Sequence, residues 1–224
     1  MLRATQIEKS YGKLAVLKGI DLEIRKGEIV AIVGASGAGK STLLHILGTL
    51  DSPDKGKVFI HDKDVFSQSA KNLAAFRNKS LGFVFQFHNL LPEFSALENV
   101  IIPGLIGKKD ERKIRQRGEE LLKMLGLEDR IHHKPSELSG GEQQRTAVAR
   151  AMINAPDLIL ADEPSGNLDS KNAEDLHRLF FQLRQETGQT FIIVTHNEHL
   201  SEMADRRIEL KDGVITKIEE PKIS

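Results

Sequence analysis

An apolar run, Glu28–Val33, passes directly into Gly34-Ala-Ser-Gly-Ala-Gly-Lys-Ser41, and no other stretch of the chain constrains the fold as much. The run reads as a short buried strand and is followed by a helix from about Lys40 to Gly48. A glycine-rich turn between a strand and a helix lets backbone amides converge on phosphate oxygens, where the helix dipole favours an anion. The residues Gly34, Ala35, Ser36, Gly37, Ala38 and Gly39 fit the P-loop pattern completed by Lys40 and Ser41. In that pattern Lys40 reaches the β- and γ-phosphates, the Ser41 hydroxyl ligates Mg²⁺ and Thr42 donates to the α-phosphate. A plain glycine-rich turn is the alternative, but it leaves the strand, the Lys-Ser pair and the helix as coincidences. The loop alone does not separate a kinase, a GTPase and an ATPase.

The flanking sequence alternates short β-branched runs with longer helical patterns, which predicts an α/β protein with a mainly parallel sheet. Leu81–Gln86, Asp157–Asp162 and Thr190–Thr195 are strand-like, and Leu176, Leu179, Phe180 and Leu183 mark one apolar helix face. Residues 2–24 and 56–66 alternate in the manner of antiparallel strands. Asp212-Gly213 between Arg207–Leu210 and Val214–Ile218 is a hairpin signal, because both turn positions need positive φ. Residues 88–156 are predicted to be a helical insertion, with helices near Ala96–Ile106, Asp110–Leu125 and Gly141–Asn154, punctuated by Pro92, Pro103, Pro135 and Pro156. The expected organisation is one domain over 1–224, with 1–87 and 157–224 as an α/β core carrying a β subdomain, 88–156 as a helical subdomain, and 221–224 as a loose tail.

A second chemical feature is Leu158-Ile-Leu-Ala-Asp-Glu163, an apolar strand ending in two carboxylates. Asp162 at such an edge is placed to hold Mg²⁺, and Glu163 to polarise an attacking water as general base. Acidic residues commonly end strands, so this pair gains its meaning from the phosphate loop. Phe191–Val194 leads into Thr195-His196, where a histidine can hydrogen-bond a γ-phosphate; taken alone it reads as an ordinary strand-end histidine.

Composition narrows the functional classes. Lys+Arg and Asp+Glu are both 32, so the net charge is zero and no nucleic-acid partner is expected. The absence of cysteine rules out disulfides and thiol–metal sites and suits a cytoplasmic protein. The N-terminal residues lack the apolar core of a signal peptide, and no apolar run approaches the ~18–20 residues that span a bilayer, so a membrane role is expected to act through a partner.

Leu138-Ser-Gly-Gly-Glu-Gln-Gln-Arg145 sets a serine and two glycines at a helix start, a second anion site in one chain. Ser139 and Glu142 also have the spacing of a capping box, and the two readings are compatible. Here the chain resembles the ABC ATPase family, over essentially its whole length and in the family's motif order. The resemblance implies the ABC ATPase fold: a P-loop NTPase (RecA-like) core, an antiparallel β subdomain and a helical insertion. It implies that Tyr11 stacks on adenine, that Gln86 is the Q-loop glutamine contacting Mg²⁺ and nucleotide, and that Asp162 and Glu163 are the Walker B acid and its base. Ser165-Gly-Asn-Leu-Asp169 resembles the D-loop and His196 the switch histidine. It further implies ATP hydrolysis by a head-to-tail pair of copies, in which Ser139, Gly140, Gly141 and Glu142 of one copy meet the ATP held by Lys40 of the other.

Gln86-Phe-His-Asn-Leu-Leu-Pro-Glu-Phe-Ser-Ala-Leu-Glu-Asn-Val100, with Leu105-Ile-Gly-Lys-Lys109 and Pro135-Ser-Glu-Leu138, is similar to the branch of that family that drives lipoprotein release from the inner membrane of diderm bacteria. That resemblance implies a peripheral subunit on the cytoplasmic face and permease partners with four transmembrane helices. Phe87, Leu90, Leu91 and Phe94 either receive those permeases or pack inside the helical insertion. The cell-division and macrolide-exporter ATPases are the alternative branches. The absence of a C-terminal regulatory domain argues against sugar-importer ATPases.

Overall fold

The computed structural model describes residues 1–220, so the expected tail lies outside the described residues. Contacts divide the chain into two compact units, Met1–Ala74 with Phe181 onward, and Ala75–Phe180.

In the first unit β1 (Leu2–Tyr11) pairs antiparallel with β2 (Leu14–Ile24), and the parallel strand β3 (Ile29–Val33) follows. All five residues of β3 are buried, as expected of a strand covered on both faces. The helix α1 (Lys40–Leu47) turns Leu43, Leu44, Ile46 and Leu47 inward, each worth roughly 2 kcal/mol of apolar burial. β4 (Lys55–Ile60) and the short β5 (Lys63–Asp64) complete an antiparallel sheet of order β2-β1-β4-β5. The alternation read over 2–24 and 56–66 is therefore the pleat of this sheet.

The helix α2 (Ala70–Ser80) leads into the second unit, where β6 (Leu81–Phe85) is followed by α3 (Ala96–Ile106), α4 (Glu111–Met124), α5 (Gly140–Met152) and β7 (Leu158–Asp162). β6 and β7 pair in parallel, with Phe85 opposite Asp162. Helix α3 packs on α4 and α5, and α5 packs on β6. Pro103 lies inside α3 without ending it; the Gly107 amide still reaches the Pro103 carbonyl. The segment expected to be helical, 88–156, falls inside this unit together with both strands.

The helix α6 (Ser170–Thr187) returns the chain to the first unit, with Leu176, Phe180 and Leu183 buried as the helical spacing predicts. There β8 (Thr190–Val194), α7 (Glu198–Met203), β9 (Arg206–Lys211) and β10 (Val214–Glu219) follow. β8 and β9 flank β3 in parallel and β10 closes on β9 in an antiparallel hairpin, giving the order β10-β9-β3-β8. Asp212 and Gly213 have φ of 50° and 82°, the left-handed pair that a two-residue hairpin requires. Beneath this sheet Arg206 donates to Glu28 at 3.0 Å, both nearly buried, so the charge ahead of β3 is paired.

Candidate functional site

The phosphate loop stands at the end of β3 in the first unit. Gly39 caps α1 with φ of 102° and no side-chain hydrogen bond, which leaves the first-turn amides to other acceptors. A Cβ at Gly34 would sit 2.0 Å from the Leu210 carbonyl oxygen, so the loop is seated against β9. Ser36 and Gly37 at its crest are exposed, as is Ser41 at the start of α1. Lys40 folds back over the turn, its ammonium donating to the Gly34 and Ala35 carbonyls at 2.9 and 3.0 Å. A cation is thus held over the turn at the start of a helix, where positive charge and the helix dipole both favour an anion such as a polyphosphate.

Two other residues singled out from sequence stand by this loop. His196 and the loop residues Gly34 and Ala35 line one cavity of about 200 Å³, with Asn197, Arg207 and Glu209. The main chain before His196 is fixed by the Thr195 amide, which donates to the Ile32 carbonyl at 3.1 Å. Asn197 caps α7 through the Leu200 amide at 2.9 Å. Tyr11 is half exposed, and its hydroxyl donates to Asp51 at 2.6 Å. That donation holds the phenol proton above its ordinary range, with burial and the Asp51 charge adding to it, while a hydrogen bond from Thr42 opposes it. Tyr11 is therefore tethered by its polar end beside the residue that follows Lys40-Ser41, with its ring half exposed and the Lys9 ammonium 5.3 Å from the ring centre.

The second unit gathers the remaining candidates. Asp162 is the last residue of β7, and Glu163 follows with φ of 47°, a left-handed conformation costing roughly 1–3 kcal/mol in a residue other than glycine. Gln86 leaves the end of β6, its amide donating to Asn167 Oδ1 at 3.1 Å while Asn167 donates to the Gln86 carbonyl at 3.2 Å. Gly166 lies against the Gln86 side chain; a Cβ there would come within 2.9 Å of its amide nitrogen. The candidate Q-loop glutamine and the segment 165–169 thus form one local network. Hydroxyl, amide and carboxylate oxygens at Ser41, Gln86 and Asp162 are hard donors of the kind Mg²⁺ takes, and a Mg²⁺ that keeps waters and phosphate oxygens needs only one or two from the protein.

Ser139 and Glu142 form the capping box in full. Glu142 N–H donates to Ser139 Oγ at 3.3 Å and Ser139 N–H donates to the Glu142 carboxylate at 2.7 Å. Arg130 adds a 2.9 Å bond to the same carboxylate. The backbone bond from Ser139 leads in lowering the Glu142 pKa to about 2, helped by the Ser139 hydroxyl and Arg130 against partial burial. The two glycines differ. A Cβ at Gly141 would lie 2.4 Å from Asn172 Oδ1, whereas one at Gly140 would meet only Leu168 at an ordinary 3.6 Å. The chain's own packing therefore explains Gly141 and leaves Gly140 open.

Three polar residues not singled out from sequence hold this unit's loops. Gln144, fully buried, donates to the Pro164 carbonyl at 2.6 Å and to Phe85 O at 3.3 Å, tying the signature helix α5 to the residues beside Glu163 and Gln86. Arg150 donates to the His88 and Asn89 carbonyls at 2.8 and 2.6 Å. Asn99, also fully buried, donates to Leu91 O, Phe94 O and Ser95 O, and accepts from the Leu91 amide. The polar skeleton of 88–95 is thus internal while Phe87, Leu91 and Phe94 are 70%, 43% and 41% exposed, so these three do not pack inside the helical insertion. Among the described residues no cluster of three or more His, Asp or Glu is placed to hold a metal, and no helix is long and apolar enough to cross a membrane.

A strand-seated phosphate loop, an acidic strand end followed by a strained glutamate, and a serine-glycine helix start define an ABC-type ATP-binding cassette, and the chain belongs to the ABC transporter family, whose model matches residues 17–166. Within that family it is similar to the lipoprotein-releasing system ATP-binding protein LolD of Bacteroides thetaiotaomicron, 60% identical over 217 residues covering 97% of this chain and 100% of that one. LolD of Cytophaga hutchinsonii is 58% identical over 215 residues, covering 96% and 98%. Among solved structures, the dimeric bacterial ABC transporter cassette MJ0796 superposes with a TM-score of 0.90 at 41% identity and 98% coverage of both chains. A post-hydrolysis dimer of the same cassette bound to ADP and Pi gives 0.89. The fold is thus the ABC ATPase fold expected from the sequence.

Proposed function

We propose that this chain is the ATP-hydrolysing subunit of an ABC transporter that energises release of lipoproteins from the bacterial inner membrane. The observation that carries the ATPase reading is the Lys40 ammonium held over the Gly34 and Ala35 carbonyls at the mouth of the phosphate loop. The LolD relatives, matched over nearly their whole length, support the lipoprotein-releasing branch over the cell-division and macrolide-exporter branches. ATP binds with Tyr11 against the base, the amides of Gly34–Gly39 and the Lys40 ammonium around the phosphates, and Thr42 on the α-phosphate. Ser41, Gln86 and Asp162 hold Mg²⁺, which when bound neutralises phosphate charge. Glu163 takes a proton from the attacking water, and His196 hydrogen-bonds the γ-phosphate.

The active form is a pair of copies with two ATP molecules between them, Ser139, Gly140, Gly141 and Glu142 of each copy completing the site of the other. The dimeric MJ0796 cassettes and the room at Gly140 support this arrangement. Within each copy, 88–156 serves as a helical subdomain inserted in the α/β core. The exposed Phe87, at the end of the core segment, and Leu91 and Phe94, at the start of the subdomain, receive LolC/LolE-type permease subunits, and the protein works peripherally on the cytoplasmic face of the inner membrane. Co-purification tests the branch: the chain is expected to recover a permease of the lipoprotein-releasing class and lose it on Phe87→Ser. Recovery of a divisome partner instead would contradict it.

A further inference from the structure

The segment 105–117 departs from the balance of the whole chain. Within it Lys108, Lys109, Arg112, Lys113, Arg115 and Arg117 stand against Asp110 and Glu111, an excess of four positive charges in a chain whose net charge is zero. Part of that charge is answered locally, Arg115 by Glu111 at 3.9 Å and Arg117 by Glu120 at 3.7 Å. Lys109 and Lys113 pair with no carboxylate among the described residues. Both line an open groove of about 470 Å³ with Arg117, floored by Ile114 and Ile153 and closed by Asn154. Asn154 is 8% exposed, and its Oδ1 has no hydrogen-bond partner among the described residues. The groove therefore offers cations at its rim and one acceptor without a donor, Asn154 Oδ1, while the Asp110 carboxylate beside it caps α4 by accepting from the Lys113 amide at 3.0 Å.

Next to the lysines the end of α3 exposes Leu105 by 40% and Ile106 by 68%. The Lys108 and Lys109 amides close back onto the Leu105 and Gly104 carbonyls at 2.9 and 3.1 Å, so the apolar tip and the basic rim form one turn. Gly104 is packed against Ile114, where a Cβ would lie 2.2 Å from its side chain, which fixes this turn on α4. Aliphatic residues bordered by unpaired lysines match the chemistry of a bilayer surface, acyl chains below and anionic phosphates above.

We propose that the groove and tip form a contact site for an anionic phospholipid whose headgroup carries a hydroxyl donor, with phosphate between Lys109 and Lys113, a hydroxyl on Asn154, and Leu105–Ile106 among the acyl chains. This goes beyond the transport reading and does not depend on it. The test is flotation of the full chain with phosphatidylcholine vesicles with and without phosphatidylglycerol. Binding is expected only with phosphatidylglycerol, weakening with salt, and lower by roughly 30-fold in Lys109→Gln/Lys113→Gln, at about fivefold per charge. Ile106→Ser weakens it as well, and phosphatidylmethanol, equally charged without a hydroxyl, binds less. Wild-type-like flotation of the double variant, equal binding to neutral vesicles, or equal binding to phosphatidylmethanol would overturn the assignment. So would competition by soluble glycerol phosphate, which marks a site for a free phosphate ester, or loss of permease capture without any lipid binding, which marks a protein interface. Nucleotide affinity of the double variant stays at the wild-type value, so failure here is distinguishable from failure of the ATPase reading.

Discussion

Replacing Gln144 by Leu removes a tie that the fold makes between the signature helix and the acidic strand end while keeping side-chain volume nearly constant. The Gln144 amide donates to Pro164 O at 2.6 Å and Phe85 O at 3.3 Å from a fully buried position. Leucine leaves the Pro164 carbonyl without that donor, and an unsatisfied buried acceptor costs about 1–3 kcal/mol. The Oε1 of Gln144 has no partner among the described residues, so its removal recovers part of that cost. A net loss of ~1–2 kcal/mol corresponds to a Tm lower by about 2–8 °C in a chain of this size. Pro164 follows Glu163 directly, so a shifted loop moves the proposed base, and displacement on the ångström scale costs up to about 100-fold in turnover. Thermal unfolding and steady-state phosphate release on the same preparation measure both. Unchanged Tm and unchanged turnover together refute the tie; a lower Tm with normal turnover removes the positioning role and leaves a purely structural one.

Other expectations test the signature segment. Gly141→Ala turns the end of the Asn172 side chain away from its Asp169 contact and destabilises by about 1 kcal/mol, whereas Gly140→Ala folds normally and loses ATP-driven dimerisation, as thermal unfolding and sizing with ATP will show. Ser139→Asp keeps a good N-cap and so keeps stability, but sets a carboxylate against the partner's γ-phosphate and abolishes the ATP-dependent dimer. The Glu142 carboxyl, lowered from 4.5 to about 2, contributes stability that is present above pH 4.5 and is lost as pH falls toward 2. Glu142→Gln flattens that acid limb in urea unfolding titrations.

What the sequence made legible was what depends on local pattern. Buried strands such as Ile29–Val33 and Thr190–Val194 announce themselves as β-branched runs, and Asp212-Gly213 announces its turn because few other pairs accept two positive φ values. The capping box was legible from the spacing of Ser139 and Glu142. The helix α2 was not, since Ser80 is its single buried residue and no apolar face marks it. Gln144, Arg150 and Asn99 were illegible for another reason: their partners are main-chain carbonyls, which carry no residue-type signature, and those of Gln144 and Arg150 lie far away in sequence. The difference between Gly140 and Gly141 likewise needed the position of Asn172. Exposure of Phe87, Leu91 and Phe94 followed only once Asn99 was seen to occupy the interior of their loop.

Glu163, held at positive φ after the acidic strand end, is the proposed base for ATP hydrolysis at a site shared by two copies. The most direct measurement is phosphate release at saturating ATP and Mg²⁺ by the wild type and Glu163→Gln, with nucleotide affinity and oligomeric state read on the same samples. Turnover is expected to be lower by about 10²–10⁴-fold, with ATP affinity unchanged and an ATP-dependent dimer that persists. Near-normal turnover in Glu163→Gln, or a fall explained by lost ATP binding, would contradict that role.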